Sequence, residues 1–169
     1  ARMKIVCSYC HAEKHIERHY TQFDKAIALY NHKFALPSMQ LIKKLREQGK
    51  LDVFPFNEPI EVAFYHLWHH EGRRARHGAA MMGADYVQWE GFFEVARRFY
   101  FEIIPEAEKL SPGITAEILD RPEHQWFKSK VSTPEELKNL IKKSIDIARE
   151  FWNVQEPDIN PTNTQEQKK

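Results

Sequence analysis

The sequence predicts an all-α protein, and three observations support that prediction. Long stretches repeat apolar and charged residues at helical spacing, only 6 of the 169 residues are glycine, and alternating β-branched runs are scarce. A hydrophobic fraction of 42% in a chain of this length indicates one globular domain with its own core.

Charge and hydropathy exclude some classes of partner. The chain has 25 Lys and Arg against 24 Asp and Glu. Such a balance gives no strong attraction to nucleic acid or to an anionic membrane, so we expect neither partner. No apolar run approaches the roughly 18 residues of a membrane-spanning helix.

The first helical pattern covers residues 11–49. Pro37 can begin a second segment within it, because proline is tolerated best in the first turn of a helix. Gly49 is a suitable stop, and residues 50–57 are predicted to form an extended or turn-like link.

The second helix is predicted to begin near Asn57, as its N-cap, and to end near Met82. At 100° per residue it has two faces of different character. The apolar face holds Ile60, Phe64, Leu67, Trp68, Ala75 and Ala79, and the opposite face holds His66, His70, Arg73 and His77. A His/Arg face of this kind meets either water or a liganding neighbour.

The third helix is predicted from Asp85 to about Leu110, and Pro105 should kink or end it. Its apolar stripe consists of Phe92, Ala96, Phe99 and Ile103. Residues 111–131 are expected to form a connecting loop.

The fourth helix has the clearest start, because Thr133 and Glu136 form a capping box and Pro134 takes the first helical position. It is expected to end near Trp152. Residues 153–169 are a polar tail.

The segment Cys7-Ser8-Tyr9-Cys10-His11 has the pattern C-x-x-C-H, which is the attachment motif of c-type haem. The thiols of Cys7 and Cys10 bind the two vinyl groups of one haem, and the His11 imidazole is the proximal ligand of its iron. Two alternatives stay open: a zinc site completed by His15 and His19, and a dithiol redox site. The dithiol site usually lies in a βαβ setting, which this sequence lacks.

The motif also predicts a compartment, since c-type haem is normally attached outside the cytoplasmic membrane. We therefore expect an extracytoplasmic protein, in the periplasm or an equivalent compartment. The chain begins at Ala1 and carries no signal peptide, so we expect a processed chain or a piece of a longer one.

The second helix supplies candidate partners for haem. His69, His70 and His77 are the candidate distal iron ligands. Arg73 and Arg74 lie among them and suit haem propionates, because a guanidinium binds carboxylates through a planar fork.

The stretch GADYVQWEG, residues 83–91, follows directly. From local pattern alone, its tyrosine is either core packing at a helix start or a residue with a chemical role.

Residues 57–100, NEPIEVAFYHLWHHEGRRARHGAAMMGADYVQWEGFFEVARRFY, follow an upstream C-x-x-C-H. Together they resemble the C-terminal region of the hydroxylamine oxidoreductase-like octahaem cytochromes c, a family that includes hydrazine dehydrogenase-type members. The resemblance covers about residues 5–110 and is most specific over residues 71–91.

This resemblance implies a long-helix, multihaem oxidoreductase, usually a trimer, with eight haems of which one is catalytic. In the oxidative branch a tyrosine from a neighbouring subunit is cross-linked to the catalytic haem, and the matching position here is Tyr86. Reductive relatives lack that tyrosine. The resemblance therefore implies oxidation of hydroxylamine, or of hydrazine as the close variant, with a cytochrome as redox partner. Gly83 and Gly91 are expected to let the backbone approach a flat cofactor closely.

A single C-x-x-C-H motif attaches a single haem c. The other haems, including the catalytic cross-linked one, are therefore expected in the remainder of the octahaem polypeptide or in a partner subunit, within a homotrimer or larger assembly. The alternative functions are a monohaem c-type electron-transfer protein or subunit without its own catalysis, and a helical domain that supplies only trimer contacts.

The predicted organisation has three parts. Residues 1–56 form the haem-attachment segment with the first helices, and residues 57–110 form the His/Arg-rich helix and the Tyr86 helix. Residues 111–169 comprise the loop, the C-terminal helix and the polar tail.

Overall fold

The prediction of an all-α protein is confirmed over the residues that the structure describes. The structure is a computed structural model, and it describes residues 2–125 and 134–152. No strand occurs within these two ranges. The chain divides into two compact units, residues 1–128 and residues 129–169.

The first unit opens with a short helix that the sequence does not predict, α1, Arg2–Cys7. The helix α2 then runs over residues 13–47 as α-helical Glu13–Tyr30, π-helical Asn31–Ala35 and α-helical Leu36–Glu47. Pro37 lies in the first turn of the last of these segments, as predicted. The chain turns at Gly49, whose φ of +65° is in the left-handed region that favours glycine.

The helix α3 covers residues 59–80 as Pro59–Tyr65, π-helical His66–Glu71 and Gly72–Ala80. The prediction of Asn57 as its N-cap is wrong, because the capping position belongs to Glu58. A residue that precedes a proline is held in extended backbone. Glu58, with φ −105° and ψ 143°, is therefore the last residue before the helix.

The helix α4 covers residues 84–110 as Ala84–Val87, π-helical Gln88–Phe93, Glu94–Arg98, π-helical Phe99–Ile103 and Ile104–Leu110. Pro105 was predicted to kink or end this helix, and it does not end it, because the helix continues to Leu110. The Ile104 N–H donates to the carbonyl of Phe99, five residues back. The turn is therefore already widened before the proline, which lies in the first turn of the segment that follows.

The connecting loop predicted at residues 111–131 is partly helical. It contains α5, Ala116–Leu119, and a 3₁₀ turn, Pro122–His124. Ile118 and His124 are buried, so this segment belongs to the core rather than passing over the surface. Residues 126–131 of the predicted loop lie outside the described residues.

The core of the first unit lies between α2, α3, α4 and the segment around α5. Its fully buried side chains include Tyr30, Leu41, Leu45, Ile60, Leu67, Phe99, Tyr100, Ile103 and Ile118. From the predicted apolar face of α3, Ile60, Leu67 and Ala75 are buried, but Trp68 is 48% exposed. The π-helical turn that begins at His66 changes the angular spacing of the side chains, so the apolar face drawn at 100° per residue does not hold at Trp68.

The second unit contributes one described helix, α6, Pro134–Trp152, which confirms the predicted fourth helix. Its predicted cap, Thr133, and the polar tail of residues 153–169 lie outside the described residues. Of the helices that the structure describes, none has the length and apolarity needed to cross a membrane.

Candidate functional site

The C-x-x-C-H motif lies in the turn between α1 and α2. Cys7 ends α1, and its carbonyl accepts hydrogen bonds from the N–H groups of Cys10 at 3.2 Å and His11 at 2.9 Å. Both thiols are free, with Cys7 half-buried and Cys10 exposed. One tight turn therefore carries two thiols and an imidazole, the donor set that haem c requires.

The surroundings of the motif combine stacked imidazole rings with exposed apolar side chains. The His11 ring stacks on His15 at 5.1 Å, and the flanking side chains Met3, Ile5 and Tyr9 are largely exposed. No three His, Cys, Asp or Glu side chains of the described residues converge in a way that could hold a metal ion. The alternative of a zinc site with His15 and His19 gains no support from this arrangement.

The predicted ligands of α3 and Tyr86 meet in one place, which we call the His/Arg groove. This is an open cavity of about 300 Å³, lined by His69, His70, Arg73, Arg74, His77, Gly78, Met81 and Tyr86. The structure thus brings together six predicted site residues. Neither Cys7, Cys10 nor His11 is among the residues that line it.

A second and larger cavity lies next to the His/Arg groove and shares part of its lining. This Phe23 groove has a volume of about 650 Å³ and is lined by Phe23, Trp68, His69, Arg73, Arg76, His77, Ala80 and Met81. His69, Arg73, His77 and Met81 line both grooves. They therefore form a wall with one groove on each side.

The three candidate imidazoles differ in how well they are prepared to ligate iron. The His69 ring stacks on Tyr65 at 5.0 Å, and its Nδ1 is buried with no hydrogen-bond partner in the described part of the chain. A ligating histidine usually donates its second ring N–H to an acceptor, and the buried Nδ1 of His69 has none among the described residues. His70 stacks on His66 at 4.7 Å. His77 is exposed and lines both grooves, which makes it the most accessible of the three.

The side chains of the α3 arginines point in different directions. Arg76 turns inward, where it donates to the carbonyls of Gly72 and Trp68 and lies 4.8 Å from the centre of the Tyr30 ring. Burial raises the pKa of the Tyr30 phenol to about 12, so the ring stays neutral beside the guanidinium.

The two arginines assigned to propionates both line the His/Arg groove. Arg74 lies 3.5 Å from the Glu90 carboxylate of α4. Arg73 has no ion pair with any described residue and lines both grooves. An exposed guanidinium without a carboxylate partner can accept an anionic group of a ligand.

Two glycines hold Tyr86 against α3. A Cβ added to Gly78 would lie 2.9 Å from the Tyr86 Cβ, and one added to Gly91 would lie 2.4 Å from the Tyr86 carbonyl and 2.7 Å from the Ala75 Cα. The expectation that Gly91 serves a cofactor is therefore wrong, since its free space is filled by backbone of this chain. Gly83 differs, because the nearest atom to its added Cβ lies at an ordinary 3.7 Å.

A buried ion pair between α3 and α4 was not predicted. Glu71 follows the groove histidines and pairs with Arg98 of α4 at 2.8 Å, and Arg98 also binds Glu102. The signal for it is present in the sequence: Glu71 is four residues from Leu67 and from Ala75, on the apolar face of α3. A charge at such a position is buried only with a partner.

The position of Tyr86 differs from that of a core residue. Its side chain is 59% exposed, whereas its backbone is packed against Gly78 and Gly91. The ring is thus presented outward from a fixed backbone. Packing in the core of this chain does not account for it.

Comparisons with protein-family models, with curated proteins and with solved structures give no match for this chain.

Proposed function

We propose that this chain is part of a multihaem c-type oxidoreductase that oxidises hydroxylamine or hydrazine. In this proposal it carries one haem c and offers Tyr86 to the catalytic haem of a neighbouring subunit. The observation that carries the proposal is the His/Arg groove, where an outward-facing tyrosine lies beside two arginines and three histidines. The enzyme works outside the cytoplasm, as a homotrimer or larger assembly that passes electrons to a partner cytochrome.

The residues present fit a haem c. Cys7 and Cys10 are free thiols on one turn, and His11 follows directly. Bound there, haem c supplies an iron that accepts and passes on single electrons. The roles of this chain's own residues are to attach the group through Cys7 and Cys10 and to ligate its iron through His11.

The His/Arg groove supports a second flat, anionic group at its mouth. Arg73 and Arg74 would bind its carboxylates, and the wall residue His77 would ligate its iron. Tyr86 stands at the edge of the same groove on a backbone fixed by two glycine contacts. A fixed backbone and an exposed ring suit a residue that must reach another subunit.

A monohaem electron-transfer protein is the second candidate. Its support is that the chain has only one C-x-x-C-H motif and no cysteines beyond it. In that case Arg73, Arg74 and His77 line an open surface for a redox partner, and Tyr86 carries no covalent bond.

Peptide mass spectrometry of the assembled protein separates the two candidates. The oxidising enzyme should give a peptide with haem attached through Cys7 and Cys10, and a Tyr86 peptide that carries the additional mass of a haem-linked species. A Tyr86 peptide of ordinary mass would rule out the oxidative assignment and leave the electron carrier.

The substitution Tyr86→Phe should remove the second species and leave haem at Cys7 and Cys10. The matched control is Tyr20→Phe, which keeps the ring that contacts Lys4 and should leave both species intact. Simultaneous loss of both haem signals in Tyr86→Phe would contradict the separate roles of the motif and the groove.

A further inference from the structure

We propose that residues 52–56, Asp-Val-Phe-Pro-Phe, form a loop that inserts into the surface of a lipid bilayer. This apolar loop lies between the turn at Gly49 and the start of α3 at Pro59. None of its residues lines the His/Arg groove or the Phe23 groove. The inference therefore stands apart from the proposed oxidoreductase function.

The side chains of the apolar loop are turned to the outside. Val53 is 94% exposed, Phe54 73% and Phe56 57%, and Pro55 between the two rings is exposed as well. The Phe56 ring makes an edge contact with Tyr65, with ring centres 5.7 Å apart, so Val53 and Phe54 form the tip. Contiguous exposed apolar groups mark surfaces that bind a protein or a membrane.

Carboxylates hold the backbone of the loop in place. The Asp52 N–H donates to the Glu58 carboxylate at 2.7 Å, the Phe54 N–H to the Asp52 carboxylate at 2.8 Å, and the Phe56 N–H to the Glu61 carboxylate at 2.7 Å. Phe56 has a φ of +67°, which is uncommon for a bulky residue. Residues in such conformations concentrate at functional sites. The exposed rings are therefore displayed by a fixed backbone.

The same hydrogen bonds prepare the loop for an apolar environment. A backbone N–H that leaves water without a partner costs free energy, and lipid offers no partner. The N–H groups of Asp52, Phe54 and Phe56 are already bonded within the chain, and Pro55 has no N–H. Four of the five residues of the loop thus bring no unpaired N–H into lipid.

The size of the loop favours a bilayer over a second copy of the chain. A phenylalanine side chain has roughly 200 Å² of surface, so the exposed parts of Val53, Phe54 and Phe56 amount to roughly 400 Å². A stable protein interface needs about 800 Å² from each partner. Binding to a bilayer has no such threshold, because its strength grows with the apolar area that is inserted.

The charges beside the loop indicate which kind of bilayer it binds. Exposed Lys50 precedes it, and the carboxylates of Asp52 and Glu58 lie at its two ends. These charges do not add up to a basic patch, so attraction to anionic lipid contributes little. Insertion of Val53 and Phe54 should therefore suffice for binding to an uncharged bilayer, with little dependence on salt.

The test is co-sedimentation of the assembled protein with phosphatidylcholine vesicles, which carry no net charge. The natural protein should bind these vesicles. Phe54→Ser should lower the partition coefficient about tenfold, because it removes the largest apolar group of the tip. Val53→Ser should lower it by a smaller factor, since valine inserts less surface.

The matched control is Phe101→Ser, since Phe101 is 69% exposed but lies on α4. It should bind vesicles as the natural protein does. Absence of binding by the natural protein overturns the proposal, as does equal binding by the natural protein and Phe54→Ser, or equal losses in Phe54→Ser and Phe101→Ser. A lower oligomeric mass of Phe54→Ser in analytical ultracentrifugation would make the loop a subunit contact instead. None of these outcomes affects the mass-spectrometric test of Tyr86.

Discussion

Protonation of His124 should destabilise the first unit as the pH falls from 6.5 to 4. The ring is fully buried and stacks on Phe99 with centres 5.3 Å apart. Its Nδ1 shares a hydrogen bond of 2.7 Å with the Tyr100 hydroxyl, and its Nε2 is buried with no partner among the described residues. A second ring proton would therefore have no acceptor, and its charge would be poorly solvated.

The magnitude follows from the pKa. Burial is the main reason that the His124 pKa falls from 6.5 to about 4, and the neighbouring Lys33 and Arg121 lower it further against the opposite effect of Glu123. The unfolded chain takes up the proton near pH 6.5, and the folded chain takes it up only near pH 4. The stability due to the neutral ring is thus fully present above pH 6.5 and lost as the pH falls to 4. At 1.36 kcal/mol per pH unit, this loss amounts to about 3 kcal/mol.

The assay is urea unfolding followed by far-UV circular dichroism between pH 7 and pH 4. His124→Phe keeps a ring to stack on Phe99 but cannot titrate, and it removes the ring nitrogen that shares a hydrogen bond with the Tyr100 hydroxyl. The variant should be about 1–3 kcal/mol less stable than the natural protein at pH 7. Between pH 7 and pH 4 the difference should move by about 3 kcal/mol in favour of the variant, which closes the gap or reverses it.

The control is His32→Gln, because His32 is an exposed histidine of α2. Its stability should follow that of the natural protein at every pH. Parallel pH curves for the natural protein and His124→Phe would refute the reasoning.

Two further predictions concern packing and the link before α3. Gly91→Ala should lower the free energy of unfolding by about 2 kcal/mol in thermal or urea unfolding, because the added Cβ would clash with backbone atoms. The control Gly83→Ala, where the added Cβ makes only ordinary contacts, should be neutral or slightly stabilising. Equal effects of the two substitutions would contradict the packing argument. Glu61→Gln should cost about 2 kcal/mol and speed hydrogen exchange at the Phe56 amide, because Glu61 is buried and accepts hydrogen bonds of 2.7 Å from Phe56 and from Arg46. The control Glu47→Gln changes an exposed ion pair at 3.8 Å and should alter neither the stability nor the exchange rate of the Phe56 amide. If that amide stays protected from exchange in Glu61→Gln, the segment before α3 is held by other contacts.

Helical periodicity predicts much of the fold. Ile60, Leu67 and Ala75 share an apolar face in the sequence and are buried in the structure. Phe99 and Ile103, from the predicted stripe of α4, are also buried. Residues spaced three and four apart along a helix lie on one side whatever the tertiary context, which is why these assignments hold.

The errors come from features that local pattern does not encode. Proline usually interrupts a helix, but the turn before Pro105 is widened by a hydrogen bond that spans five residues. The segment of residues 111–125 has the composition of a loop, yet Ile118 and His124 anchor it in the core through contacts with distant helices. Neither the widened turn nor the long-range contact leaves a mark in the neighbouring residues.

The sequence predicts which groove residues share a face of α3, but not that Tyr86 lies beside them. Helical spacing places His70, Arg73 and His77 on one side of α3. Tyr86 lies beside them because of the turn after α3 and the close approach of Gly91 to Ala75. A local pattern contains no information on that approach, because it is a contact between two helices.

The π turns of α4 also determine the direction in which the Tyr86 side chain points relative to the core. Each residue of an α-helix rotates the side-chain direction by about 100° about the helix axis. Adding or removing one residue between Tyr86 and Phe99 would therefore rotate the Tyr86 side chain by about that angle relative to Phe99. The π turn Gln88–Phe93 lies between these two positions. Shortening it by one residue would leave Phe99 in the core and swing Tyr86 about a quarter of the way around the helix, away from His77. The number of residues between Tyr86 and Phe99 therefore determines the direction in which the Tyr86 side chain points.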